Sequence, residues 1–233
     1  MSEAIIDWER PARTGLREAI LCEGKSTAHI RQILSGANDR PLLLTRLSPE
    51  QVAELSANGA SLDYDEASRT AFVGAPPAAV DYGVVIVMAG LGDIPTGREA
   101  ERTLAFNGIK SAVITDVGVA GLWRLMARLE DLKAARLIIA VAGMEGALFS
   151  VLGGLVAAPI VACPSPVGYG VSAGGQTALM SALSSCADGV LVTNIGNGYG
   201  AACAAMRILR TNGAREPSSK AGQNPSEVGT HLA

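Results

Sequence analysis

The sequence predicts an α/β protein built on a doubly wound parallel sheet, with a small α+β module ahead of it. Three observations lead there. Short apolar runs alternate with helical stretches from Val84 onward, and those runs do not alternate polar and apolar residues. The chain is 48% hydrophobic but only 4% aromatic, with 27 glycines, so Val, Ile, Leu and Ala must build the core and helices must pack close to the strands. Strands buried on both faces read as continuous apolar runs, the signature of a parallel sheet covered by helices.

The first 75 residues carry many of the charges and weaker patterns. An amphipathic stretch spans Thr27–Leu34, a short apolar run spans Pro41–Leu44, and Ser48-Pro49-Glu50 opens a helix. Ser48 supplies the N-cap, Pro49 the first helical position and Gln51 the return bond of a capping box. Residues 61–74 could close a small sheet, and Ala75–Ala78 (APPA) reads as a linker.

In residues 80–212 the expected strands are 84–88, 111–117, 136–142, 159–163 and 189–195. The expected helices are 96–107, 120–133, 146–157, 174–187 and 199–210. Right-handed crossovers follow. Residues 213–233 are polar and read as a flexible tail. Leu137–Cys163 is long enough for a membrane helix and holds one charge, Glu145, but glycines and Pro159 divide it into strand, helix and strand. No membrane association is expected.

A net charge of −3 gives no ground for a nucleic-acid partner. Cys22, Cys163, Cys186 and Cys203 show no CxxC spacing, and His29 and His231 lie far apart, so no Cys/His zinc site is expected. The N-terminus lacks a basic segment followed by an apolar core, and cytoplasmic residence with reduced thiols is the default expectation.

Ligands of such sheets bind at the carboxyl ends of the strands. That rule selects Ala89–Asp93, Asp116–Gly118, Gly143–Glu145, Pro164–Gly175 and Asn194–Gly200. Gly90 and Gly92 could place backbone N–H groups on a phosphate or simply form a tight turn. Asp93 could cap the next helix or hold a cation. Glu145 is isolated in an apolar stretch, which suits an acid/base or orienting carboxylate better than a helix-dipole partner. Cys186 falls near a helix end, a position that disfavours a thiolate, so spacing alone leaves it between core filler and nucleophile. Cys163 and Cys203 sit in a strand and an apolar helix and are weaker candidates. The long loop holding Gly168, Tyr169 and Gly170 suits backbone contact with a substrate.

These segments together resemble the LarB family of nickel-pincer cofactor biosynthesis. The likeness rests on Gly92–Pro95 (GDIP), Asp116–Leu122 (DVGVAGL), Val141–Leu148 (VAGMEGAL), Pro166–Gly170 (PVGYG), Ser185-Cys186-Ala187 and Asn194–Gly198 (NIGNG). Arg13-Thr14-Gly15, Glu23–Ser26, Thr45–Gln51 and Asp63–Ala67 extend it through the N-terminal part. The C-terminal half is also similar to the PurE family of aminoimidazole ribonucleotide carboxylases and mutases, which implies a flavodoxin-like fold and an octameric homo-oligomer.

The LarB resemblance implies carboxylation of nicotinic acid adenine dinucleotide at pyridinium C5, with carbon dioxide or bicarbonate as co-substrate. Hydrolysis of the phosphoanhydride would release AMP, and magnesium is implied at the pyrophosphate. Cys186 matches the family's cysteine in SCA and Glu145 its glutamate in MEGA. Asp93, Asp116, Gly118, Gly143 and Met144 fall in its site loops. Leu91-Gly92 stands where the family has hydroxyl residues, Trp123 where it has His, and Phe149 where it has Pro. A PurE-type carboxylase and a non-catalytic nucleotide-binding protein are the alternatives.

Overall fold

The structure, a computed structural model, describes residues 5–38 and 40–211. The expected tail 213–233 lies outside the described residues.

The N-terminal part folds around a four-stranded sheet. After a short helix α1 (Arg10–Thr14) come β1 (Ala19–Leu21), α2 (Thr27–Ser35), β2 (Leu42–Thr45), α3 (Pro49–Ala57), β3 (Asp63–Asp65) and β4 (Thr70–Val73). The strand order is β1-β2-β4-β3; β1 runs parallel to β2, and the other pairs are antiparallel. Each helix start is written locally. Ser26 accepts from the His29 amide, and Ser48 and Gln51 complete the expected capping box, while Ile30, Ile33 and Leu55 turn inward onto β2.

The second sheet has five strands: β5 (Val80–Met88), β6 (Ile109–Ile114), β7 (Leu137–Ala142), β8 (Ile160–Pro164) and β9 (Val190–Val192). All pairs are parallel, in the order β6-β5-β7-β8-β9. This is the flavodoxin-like doubly wound arrangement. The pleat splits the buried strands between two cores. Val84, Ile86 and Met88 with Leu137, Ile139 and Val141 meet α4 (Ile94–Phe106) and α9 (Gly198–Thr211) on one face. Val85, Val87, Ile138 and Ala140 meet α5 (Leu122–Met126), α6 (Leu129–Lys133), α7 (Ala147–Leu155) and α8 (Gln176–Leu183) on the other.

Several elements differ from the sequence reading. The strand expected at 84–88 already begins at Val80, and the one expected at 189–195 is only Val190–Val192. The strand expected at 111–117 ends at Ile114, because Asp116 turns into the left-handed region (φ 58°) and redirects the chain. The helix expected at 120–133 is two helices, broken where Arg128 leaves helical geometry (φ −109°, ψ 10°) without any Gly or Pro to announce it. The helix expected at 174–187 starts after the left-handed pair Gly174 and Gly175 and ends at Leu183, where the Ser184 hydroxyl donates to the Met180 carbonyl. Cys186 therefore lies in the connection beyond α8, not at a helix end.

The two sheets meet through α4. Phe72 of β4 packs against Phe106, with ring centroids 5.7 Å apart, and the Arg102 guanidinium lies 3.8 Å from the Phe72 ring. Arg98 donates to Asp65 at 2.6 Å. Burial alone would raise the Asp65 carboxyl, but Arg98 and Ser68 together outweigh it and hold it at about 2. A lowered carboxyl contributes stability that is present above its unfolded value of about 3.9 and is lost as pH falls toward the folded one. Thermal melts should therefore show part of the acid destabilisation between about pH 4 and about 2, worth at most about 2 kcal/mol after screening at the partly exposed Arg98. Asp65→Asn should remove that part of the pH dependence; an unchanged acid limb would refute the assignment.

Candidate active site

A cavity of about 350 Å³ opens at the carboxyl edge of the second sheet, among the loops that follow β5, β6 and β7. Short bonds tie these loops to themselves and to one another. After β5 the chain makes a 3-10 turn, Leu91–Asp93, and enters α4. The Gly90 N–H donates to Asp93 Oδ2 at 2.9 Å. After β6, the Gly118 N–H donates to the Ala89 carbonyl at 2.8 Å, and a Cβ at Gly118 would stand 2.9 Å from that oxygen. After β7, the Met144 N–H donates to the Val167 carbonyl at 2.8 Å, and a Cβ at Gly143 would overlap that oxygen. These two glycines let the loops close on one another, and no larger residue fits either place.

Two non-glycine residues on the wall, Asp116 (φ 58°) and Met144 (φ 53°), hold left-handed backbone. Such conformations cost of order 1–3 kcal/mol and concentrate at ligand sites. Asp116 is fixed by Arg124, whose Nη1 donates to Oδ2 at 2.6 Å. The guanidinium brings a cation to a wall otherwise made of glycines, apolar residues and carboxylates.

Asp93 is 3% exposed, and its Oδ1 completes no hydrogen bond. Burial pushes its pKa up, against the opposing pull of the Gly90 amide, the Ser165 hydroxyl and the Gly143 amide. A raised carboxyl favours folding below its unfolded value, and that contribution is lost as pH rises through the folded one. Ionised Asp93 thus costs stability that a ligand able to donate to Oδ1 would offset. Asp93→Asn keeps an acceptor for Gly90 and should melt at an equal or slightly higher temperature than wild type. Its advantage should grow as pH rises above the ordinary carboxylate range. A variant less stable at pH 8 would contradict this.

The cavity wall gathers Gly90, Gly92, Asp93, Asp116, Gly118, Gly143, Met144 and Glu145 from the sequence reading. Gly168, Tyr169 and Gly170 do not line it, although the preceding Val167 does; Tyr169 projects outward, 76% exposed. Glu145 sits in the turn ahead of α7 and is exposed, so the apolar enclosure expected around it is not present within one chain. Cys186 is also exposed and does not line the cavity. Its loop enters β9 where the strands begin, beside the flank of α7, with Ser185 bonded to Ser150 at 2.7 Å. In the sequence Arg124 carries no signal beyond its place in a helix eight residues after Asp116, and only the fold brings it to the wall. The fold alone also adds Val119, Ala120 and Gly146–Leu148 to that wall.

Among the described residues no three His, Cys, Asp or Glu side chains cluster as a metal site, and no helix is long and apolar enough to cross a membrane.

A parallel sheet of this order, with glycine loops closing a cavity at its carboxyl edge, defines a flavodoxin-like α/β protein with a small-molecule site. Residues 83–220 match the model of the AIR carboxylase family, and residues 1–75 match the LarB/PurE-like N-terminal domain. The chain belongs to the AIR carboxylase family in its LarB-type arrangement, a PurE-related carboxylase group. It is 40% identical over 129 residues to an uncharacterised protein of Methanocaldococcus jannaschii, a match covering 54% of this chain and 49% of that one. The chain thus spans about half the length of that curated relative. A solved structure of a PurE2 variant from Treponema denticola aligns with 24% identity and a TM-score of 0.46, over 55% of this chain and 79% of that one.

Proposed function

We propose that this protein carboxylates the pyridinium ring of nicotinic acid adenine dinucleotide at C5 and hydrolyses its phosphoanhydride. The products are pyridinium-3,5-biscarboxylic acid mononucleotide and AMP, and the step opens nickel-pincer cofactor synthesis. The observation that carries the reading is the union, in one chain, of a LarB/PurE-like N-terminal domain with a carboxylase domain bearing both Glu145 and an exposed Cys186.

A pyridinium ring is too electron-poor to attack carbon dioxide. Addition of the Cys186 thiolate at C4 gives a dihydropyridine whose enamine makes C5 nucleophilic. C5 then forms its bond to carbon dioxide, and the ring nitrogen becomes an iminium. Glu145 removes the C5 proton, the C4–S bond breaks with its electron pair returning to sulfur, and the pyridinium is restored. The Asp116–Arg124 pair and the amides of the 90–93 loop supply polar contacts for the mononucleotide. Asp93 Oδ1, buried and without a hydrogen bond, is the protein oxygen that would hold a magnesium ion, which would supply charge neutralisation at the pyrophosphate.

Within one chain Glu145 borders the cavity and Cys186 does not, so the reaction needs a second copy to bring a thiol to the ring. Exposed apolar groups on the loops and helix starts at the cavity edge of the sheet, Leu91, Trp123, Met144 and Val171, support a homo-oligomer. An octamer accords with the PurE likeness.

Incubation with nicotinic acid adenine dinucleotide, bicarbonate and magnesium, read by mass spectrometry, should yield AMP and the dicarboxylated mononucleotide. Absence of both would reject the proposal. The carboxylase-domain match favours one other substrate, aminoimidazole ribonucleotide, and turnover of that compound alone would establish the second reading.

A further inference from the structure

A second cavity, of about 290 Å³, lies between the N-terminal sheet and the carboxyl edge of the large one. It is separated from the first by the start of α4 and by neighbouring residues of one loop. Asp93 and Val167 face the first cavity, while Pro95, Thr96 and Pro166 face the second.

Two arginines of the N-terminal part, Arg46 and Arg69, line this cleft, and both hold left-handed backbone (φ 55° and 54°). They hold each other in place. Arg69 Nε donates to the Leu47 carbonyl at 2.8 Å, Arg69 Nη2 donates to the Arg46 carbonyl at 3.3 Å, and the Leu47 amide donates to the Arg69 carbonyl at 2.9 Å. Paired backbone strain at non-glycine residues lining one cavity is the pattern of a ligand clamp. Among the described residues Arg69 pairs with no carboxylate and its Nη1 donates to no group.

Arg46 is fully engaged: it donates to the Gly196 carbonyl at 2.9 Å and to Glu23 at 3.3 Å, with Glu99 3.9 Å away. The cleft thus presents the open Nη1 edge of the Arg69 guanidinium together with carboxylates at Glu23 and Glu99. That combination matches a phosphate joined to a hydroxyl-bearing sugar. The guanidinium takes the phosphate, and the carboxylates accept from the sugar hydroxyls.

We propose that this cleft binds a ribosyl phosphate. Resting on the function proposed above, it holds the adenylate half of the dinucleotide while the pyridinium half occupies the neighbouring cavity. The first turn of α4, which separates the two cavities, is where the pyrophosphate would cross.

AMP itself is the probe. In wild-type protein with labelled methyl groups, AMP should shift the Ile195 resonance, which reports the cleft, and leave Met144 and Leu148 of the first cavity in place. By calorimetry, Arg69→Met should weaken AMP binding about tenfold or more and leave the affinity for nicotinic acid mononucleotide unchanged. Shifts at Met144 without Ile195, AMP affinity unaltered in the variant, or no AMP binding at millimolar concentration would each overturn the assignment. Neither measurement requires turnover. If the protein fails to carboxylate the dinucleotide yet AMP binds through Arg69, the cleft stands and only the reaction is rejected.

Discussion

Cys186→Ala should abolish carboxylation, lowering turnover by at least about a thousandfold, while Cys22→Ala, Cys163→Ala and Cys203→Ala retain it. The argument is one of access and ionisation. The reacting group must be a thiolate that reaches a bound ring. Cys22 and Cys163 are fully buried, and burial pushes their thiols up to about 12 and about 11. Cys203 is raised as well, by burial above all, although Tyr199 and Arg10 pull it down. Cys186 is exposed, on a loop that no core contact requires to carry sulfur. Its loss should leave the melting temperature within a degree or two, since exposed substitutions seldom change stability by more than about 0.5 kcal/mol. Full activity in Cys186→Ala would return this cysteine to a surface role and end the covalent scheme.

The parts of this fold that are legible in the sequence are those fixed by local chemistry. Non-alternating runs such as 84–88 and 136–142 announce strands buried on both faces, and the Ser48/Gln51 box writes its helix start into four residues. The site loops follow from the sheet, because a parallel sheet has one carboxyl edge. What stayed hidden depends on distant partners. Asp116 and Met144 adopt left-handed backbone that only glycine would have advertised, and they do so because Arg124 and Val167 hold them. The isolation of Glu145 in sequence suggested enclosure, yet a two-residue turn lifts it to the cavity mouth. The Arg46 bond to Gly196 joins residues 150 positions apart, so the cleft between the sheets has no local signature.

Glu145→Gln should bind the dinucleotide and still accept the thiolate, yet fail to finish. Glutamine keeps the size and a hydrogen-bonding amide but cannot take the C5 proton, so the carboxylated ring should remain attached to sulfur. Intact-mass analysis should then show a protein-bound adduct, and peptide mapping should find it on the segment carrying Cys186. Turnover should fall by about 10²–10⁴-fold, the usual contribution of a positioned base. Placement of the two groups adds a sharper consequence. Glu145 borders the cavity of its own chain and Cys186 does not, so each variant lacks a different half of a site built from two copies. Co-expression of Cys186→Ala with Glu145→Gln should restore activity, to about a quarter of wild type if copies mix at random in a symmetric assembly. In such mixtures some cavities combine an intact Glu145 with an intact Cys186 from the neighbouring chain. No recovery from a mixture shown to co-assemble would mean that one chain supplies both groups. The loop holding Cys186 would then have to travel from the beginning of the strands to their end, and the arrangement seen here would not be the reacting one.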